Sequence, residues 1–236
     1  DPVDLSDHPV KLAQEHLDAL KAIVGEEGFS VSDYDRLAVA YGFTAYDILR
    51  LRHKIIDSVP DVVLYPDTTE QVEKIVAYST EHDIPLYVYG GGSSVTRGVE
   101  PVKGGISLDM RRRFNKVLSF NEIDQTITVQ AGMSGPDLEK TLQNAPELFG
   151  AKRQYTCGHF PQSFEYSSVG GWTVTRGAGQ NSTYYGCIAD IVLSQKYATP
   201  IGPITTSHYP REACGPDLNQ IMMARRHIRR VDRGHA

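Results

Sequence analysis

Two glycine-rich, hydroxyl-bearing segments, roughly seventy residues apart, constrain this chain more than any other feature. The first runs Val88-Tyr89-Gly90-Gly91-Gly92-Ser93-Ser94. Glycines take positive φ readily and let backbone approach a ligand with no Cβ in the way. Successive N–H groups can then converge into a nest for an anion. Ser93 and Ser94 add hydroxyl donors. The second segment, Gln162-Ser163-Phe164-Glu165-Tyr166-Ser167-Ser168-Val169-Gly170-Gly171, leads into a stretch of helical character. Glycines at a helix start expose free N–H groups where the dipole favours an anion. A dinucleotide gripped between two subdomains needs two such segments.

The first segment taken alone also reads as a glycine turn between strands. It is not a Walker A loop, because no Gly-Lys-Ser/Thr ending follows. Nor does it fit the Rossmann fingerprint. Val95 stands at the third glycine, and Pro101 and Gly104-Gly105 leave no room for the crossover helix.

Around these segments the pattern is α+β. Val10, Ala13, Leu17, Leu20 and Val24 recur at helical spacing and predict a packing helix over 10–24. A shorter helix is expected over 44–56, carrying the basic run Arg50-Leu51-Arg52-His53-Lys54. Val62 to Tyr65 predicts a strand. Thr68 and Gln71 offer a reciprocal capping box for a helix that buries Val72, Ile75 and Val76. Leu86 to Tyr89 and Ile106 to Leu108 predict two more strands of a parallel βαβ arrangement. Lys116 to Phe120 and Thr126 to Gln130 read as a strand pair, and Ser134 caps a helix with Pro136 in its first turn. Two packed subdomains meet near residue 112, where Arg111-Arg112-Arg113 is expected as a solvated connector.

Composition excludes several classes. The chain of 236 residues, 40% apolar and with net charge −5, can bury a core and lacks the basic face that nucleic-acid binding needs. No apolar run reaches the roughly 20 residues of a membrane span. Cys157, Cys187 and Cys214 stand apart with no Cys-x-x-Cys pair, a poor framework for disulfides or zinc and consistent with a reducing compartment. No metal site is expected.

The order of these motifs strongly resembles the FAD-binding domain of the vanillyl-alcohol oxidase and p-cresol methylhydroxylase family. It runs Val-x-Tyr-Pro, helix, strand, Gly-Gly-Gly-Ser-Ser, a strand ending in Leu-Asp, then Ser-x-Gly-Gly. Within that family, Gly158-His159, Ser163, Glu165, Ser167, Val169-Gly170-Gly171-Trp172 and Thr175-Arg176 look like the alkyldihydroxyacetonephosphate synthase branch. Tyr185-Gly186-x-Ile188-x-Asp190 continues the match, which spans about Asp33 to Met223.

The resemblance implies a helical N-terminal extension (1–58), a first FAD-binding subdomain with the pyrophosphate loop (59–112), a second (113–223) and an atypical basic tail (224–236). It implies three FAD-contacting segments: Val88 to Ser94, Gln162 to Ser168 with Gly170 and Gly171, and Thr175 to Ala178 through Arg176 and Gly177. The glycine loop would hold the pyrophosphate. Ser163 to Ser168 would flank the flavin and ribityl chain, and Ile188 to Val192 would sit near the adenine. No histidine lies within Val88 to Ser94, so FAD is expected to be non-covalent. Ala189 and Gln162 replace acids common at those positions. The implied activity is exchange of the acyl group of acyl-dihydroxyacetonephosphate for a fatty alcohol, with the flavin carrying the chemistry. Oxidation of an alcohol or 2-hydroxy acid is the alternative, and an inactive FAD-binding remnant a third. A small-molecule or lipid-like substrate, a homodimer, and a cytoplasmic or membrane-peripheral location complete the expectation.

Single residues carry competing readings. His159 could be a general acid or base, or could simply pack against the cofactor. Arg176 could donate to phosphate or pin a loop. Trp172 reads as core, and a Cys157–His159 nucleophile is disfavoured because neighbouring side chains usually diverge. Catalytic residues are not assigned, because the family's substrate cap lies beyond this chain. After Gly215-Pro216-Asp217-Leu218 the family continues Gly-Ser-Glu-Gly-Thr-x-Gly-Val, where this chain has the basic stretch from Ala224 to Ala236. A shift of reading frame over Arg226 to Arg230 would account for it, and a basic binding tail is the rival.

Overall fold

A computed structural model describes residues 3–206 and 215–223. The tail, and with it the frame-shift expectation, lies outside the described residues. In chain order the elements are α1 (Gln14–Val24), β1 (Phe29–Ser30), α2 (Asp33–Ala38), α3 (Ala45–Arg52), β2 (Val62–Leu64), α4 (Thr69–Glu81), β3 (Leu86–Tyr89) and β4 (Ile106–Asp109). There follow β5 (Val117–Asn121), β6 (Thr126–Val129), α5 (Gly135–Gln143), α6 (Ala145–Phe149), α7 (Val169–Thr175), α8 (Ser182–Tyr185), α9 (Ile188–Ile191), β7 (Lys196–Thr199), β8 (Gly202–Thr205) and α10 (Leu218–Met222).

The first sheet has strand order β1-β2-β4-β3, so β4 lies between the two strands that α4 connects. Its β2–β4 and β4–β3 pairs are parallel, and β1 joins antiparallel at the edge. β2 and β4 are wholly buried because both their faces are covered. Leu17, Leu20 and Val24 of α1 pack with Ile75 of α4 against Val62, Leu64, Ile106 and Leu108. Full burial of such side chains contributes about 1.5–3 kcal/mol each. α1 begins at Gln14, not at Val10, although Val10 still packs on this core.

The α4 cap differs from a reciprocal box. Thr68 Oγ1 accepts from Gln71 N at 3.2 Å, but Gln71 Oε1 accepts from Asp67 N at 2.7 Å, one residue earlier. Gln71 thereby ties the chain entering α4 rather than the cap residue itself.

The second core gathers Met133, Leu138, Leu142, Trp172 and Ile188 beneath the antiparallel β5–β6 hairpin. Asn121 closes that hairpin by accepting from the N–H groups of Ile123 and Asp124 at 3.0 and 3.1 Å. Ser134 caps α5 by accepting from Asp137 N at 3.2 Å. The β7–β8 hairpin returns to the first layer, where Lys196 Nζ meets Glu73 of α4 at 2.9 Å.

Arg111 and Arg112 are exposed, as a solvated connector should be, yet all three arginines between the cores are anchored. Arg111 pairs with Asp109 at 2.8 Å, Arg112 lies 4.7 Å over the Tyr65 ring, and Arg113 reaches Glu27 at 3.2 Å. Each guanidinium has found a carboxylate or an aromatic face, which local sequence alone does not reveal.

Candidate cofactor-binding site

The glycine loop leaves β3 at the carboxyl end of the parallel strands, the edge where open α/β sheets present ligand crevices. Among the described residues, the N–H groups of Gly91, Gly92, Ser93 and Ser94 find no backbone acceptor. Gly92 has φ +70, a left-handed conformation that turns the chain sharply. Val88 is 53% exposed, whereas Tyr89 is buried at 4%.

The second segment lies against this loop. A Cβ on Gly91 would stand 1.6 Å from the Tyr166 carbonyl oxygen, and one on Gly90 would stand 2.6 Å from Ser168 Oγ. The glycines at these positions let two backbones touch. Gly170 shows the same device, since its Cβ would meet Ala131 Cβ at 2.7 Å while its N–H donates to Ala131 O at 2.8 Å.

Local hydrogen bonds shape the second segment. The Ser167 hydroxyl donates to Ser163 O at 2.7 Å and accepts from Trp172 Nε1 at 2.6 Å. It is committed inside the protein. Ser168 caps α7 by accepting from Gly171 N at 3.3 Å. Gly171 keeps open space on its Cα, since a Cβ there would meet only Ser168 Oγ, at 3.3 Å. Glu165 and Gln162 are exposed. Tyr166, 64% exposed, leans on Phe43 with ring centroids 6.2 Å apart.

The third segment closes the other side. Gly177 N donates to Trp172 O at 3.0 Å, and Gln180 N donates to Phe160 O at 3.1 Å. Between the second and third segments lies an open cleft of about 560 Å³, lined by Phe160, Gln162, Phe164, Glu165, Tyr166 and Ala178. That is within the roughly 300–1,000 Å³ of small-molecule sites. Aromatic faces and a few polar groups suit a flat heteroaromatic ring.

Other expected residues have structural occupations. Arg176, at φ 51 on the C-cap of α7, donates to Gln220 Oε1 at 2.6 Å and to Gln220 O at 3.2 Å, so it pins α10. Thr175 donates to Gly171 O at 2.8 Å within its own helix. Ile188 is 2% exposed in the second core and donates from its N–H to Gly177 O at 3.1 Å, behind the third segment. Trp172 is core at 3% exposed. His159 is 1% exposed, edge-on to Trp172 at 4.9 Å, and burial pushes its pKa down. Burial pushes the Cys157 thiol up, which disfavours a thiolate. Phe160, Pro161 and Gln180 also line the cleft, although no sequence motif marks them. The aromatic pair Phe160 and Phe164, at four-residue spacing and 5.1 Å between rings, is the one signal that could have found it.

Residues 60–207 match the FAD binding domain family. The chain belongs to that family. The alkyldihydroxyacetonephosphate synthase of Trypanosoma brucei brucei is 31% identical over 220 residues, covering 91% of this chain and 34% of that protein. A solved alkyldihydroxyacetonephosphate synthase superposes with TM-score 0.85 at 30% identity, over 93% of this chain and 39% of that one. The 4-ethylphenol oxidase from Gulosibacter chungangensis shares the fold, with TM-score 0.66 at 20% identity over 91% of this chain and 41% of that one. The fold is thus the FAD-binding α+β fold of the p-cresol methylhydroxylase type, and the cofactor of this family is FAD. The chain spans about a third of the curated relative's length. Among the described residues, no helix is long and apolar enough to cross a membrane, and no cluster of three or more His, Cys, Asp or Glu could hold a metal.

Proposed function

We propose that this chain is the FAD-binding part of an ether-lipid synthase, an enzyme that exchanges the acyl group of acyl-dihydroxyacetonephosphate for a fatty alcohol. The observation that carries the site assignment is the direct contact of the glycine loop with the second segment at Gly91 and Tyr166. The two donor-bearing stretches form one surface, as a single dinucleotide requires. Free N–H groups from Gly91 to Ser94 hold the pyrophosphate, and the cleft between Phe160 and Ala178 receives the ring system. Ser163 to Ser168 and Thr175 to Ala178 form its walls, with Ser167, Thr175 and Arg176 supporting the backbone rather than donating outward. FAD is held non-covalently, since Val88 to Ser94 offers no histidine for a tether. When bound, the flavin supplies the reactive ring, and the protein binds and orients it.

The synthase activity rests on the likeness to that branch, whose members are about three times as long as this chain. A homodimer, a lipid-like substrate and peripheral membrane contact belong to the same reading. So do the boundaries 1–58, 59–112, 113–223 and 224–236. The two separate cores support the middle division, while Leu17 and Leu20 of the extension pack into the first of them.

The test is equilibrium titration of the purified chain with FAD, followed by flavin fluorescence and the oxidised flavin bands. Wild type is expected to bind. Gly91→Val places side-chain atoms on a backbone carbonyl and is expected to abolish binding, with a stability loss of about 1–3 kcal/mol or more. Tight binding by Gly91→Val would remove the site. Bleaching of the bound flavin by a 2-hydroxy acid would favour the oxidase or dehydrogenase reading over the synthase.

A further inference from the structure

Tyr89 stands within the glycine segment but faces away from solvent. Its ring is 4% exposed, and its hydroxyl lies under Gly92, where a Cβ would come within 2.1 Å of Oη. The same hydroxyl donates to Tyr41 O at 3.4 Å. Next to Tyr41, Gly42 is so close to the loop that its Cβ would stand 2.3 Å from Ser94 O. Phe43 N also donates to Ser94 O at 3.1 Å. The loop is therefore gripped at both ends by the residues around Tyr41.

On its other side the Tyr89 ring carries Arg111. The guanidinium carbon lies 4.7 Å from the ring centroid. Asp109, the last residue of β4, fixes that guanidinium in a fork. Nη2 donates to Oδ2 at 2.8 Å, Nε donates to Oδ1 at 3.3 Å, and the Arg111 amide donates to Oδ1 at 2.9 Å. Asp109 is 3% exposed and Tyr89 pairs with it in register across β3 and β4. Two charges and one ring thus form a stack that ends under Gly92.

We infer that Tyr89 is a positioning residue, and that the Arg111–Asp109 fork clamps its ring so that Gly92 holds the turn which aims the loop amides at an anion. The clamp is steric. With the ring fixed, its hydroxyl occupies the space a displaced Gly92 would need, so the loop has one conformation to adopt. With the ring free to rotate, the amides lose their common direction. A planar fork is required for the clamp, because only a guanidinium can bond a carboxylate twice and lie flat on an aromatic face. The effect on FAD rests on the reading of this loop as the pyrophosphate site, whereas the mechanical clamp does not.

The experiment compares the full chain with Arg111→Ala, Arg111→Lys, Tyr89→Phe and Tyr89→Ala, by FAD titration and by backbone NMR relaxation of the 90–94 amides without FAD. Arg111→Ala is expected to weaken FAD binding about three- to tenfold, the worth of one partly buried cation–π contact. Arg111→Lys is expected to match Arg111→Ala, since it keeps the charge and loses the fork. A lysine variant that binds as tightly as wild type, beside a weakened alanine variant, would mean a plain charge effect and overturn the clamp. Tyr89→Phe removes the hydroxyl that lies under Gly92 and is expected to weaken FAD binding about three- to tenfold, like the Arg111 variants, whereas Tyr89→Ala removes ring and hydroxyl together and loses about tenfold or more. Tyr89→Phe at wild-type affinity would overturn the steric clamp. Fast backbone motion of the loop rises in both Arg111 variants while the rest of the chain keeps wild-type order. Unchanged loop order in those variants refutes the proposal whatever FAD does. A wild-type chain that binds no FAD, with loop motion raised in the variants as expected, refutes the pyrophosphate reading alone.

Discussion

His159 shows how a residue that looks chemical in the sequence is given a packing task by the fold. Its ring is shut in by Trp172, and the third segment passes so close that a Cβ on Gly177 would stand 3.4 Å from Nε2. Burial disfavours the imidazolium and lowers the pKa below its ordinary value of 6.5. In the unfolded chain the same residue titrates near 6.5. Below that pH the unfolded state binds more protons than the folded one, so stability falls as pH falls. Above it the two states are equally deprotonated and the contribution is flat. The urea midpoint is therefore expected to drop between about pH 7 and about pH 5, and His159→Phe, which keeps a ring on Trp172, is expected to flatten that drop. An equally steep profile in the variant would assign the acid sensitivity to other groups.

At the scale of elements, α7 depends on its first residue. A helix of seven residues with two glycines in its first turn has little propensity of its own. Ser168 supplies the cap, and its Oγ also sits against Gly90 of the opposite segment. Ser168→Ala is expected to cost about 1 kcal/mol and Ser168→Gly only a few tenths through the cap itself. Equal losses in both variants by chemical denaturation would show that the hydroxyl acts elsewhere. Elements of this kind were legible in the sequence wherever a period and a cap coincide, as in α4 and α5, or where short apolar runs end at proline or glycine, as in β2 and β3, or start after glycine, as in β4. Others are too short to carry a period. β1 has two residues and α2 has six, and β1 exists only because Leu64 and Val63 offer it an edge. The β7–β8 hairpin belongs here too, since its place is decided by α4, more than a hundred residues earlier in the chain. For the site, both glycine segments were visible. Their contact was not, because an approach between Gly91 and Tyr166 leaves no pattern in either neighbourhood. For Arg176 the pinning of a loop was one of two readings, but its partner Gln220 was not legible, and neither was the bond between Ser167 and Trp172.

The whole molecule is built on two main cores. One gathers around the parallel sheet and the other around α5 and α7. Among their junctions, Gly91 touches Tyr166, Gly170 N bonds Ala131 O, Lys116 and Gln130 bond Asp67, and Lys196 of β7 reaches Glu73 of α4. Two of these junctions border the proposed dinucleotide site. A ligand that bonds to both sides adds its binding free energy only while both cores are folded. At a free concentration of about 100 times the Kd this contributes about 2.7 kcal/mol. The single tryptophan, Trp172, lies in the second core and reports that core alone, while far-UV circular dichroism reports both. Without FAD the two probes are expected to give separate urea midpoints, because each core buries its own apolar cluster. With saturating FAD they are expected to move upward and to coincide. A rise in the tryptophan midpoint alone would place FAD on the second core and leave the glycine loop out of the site.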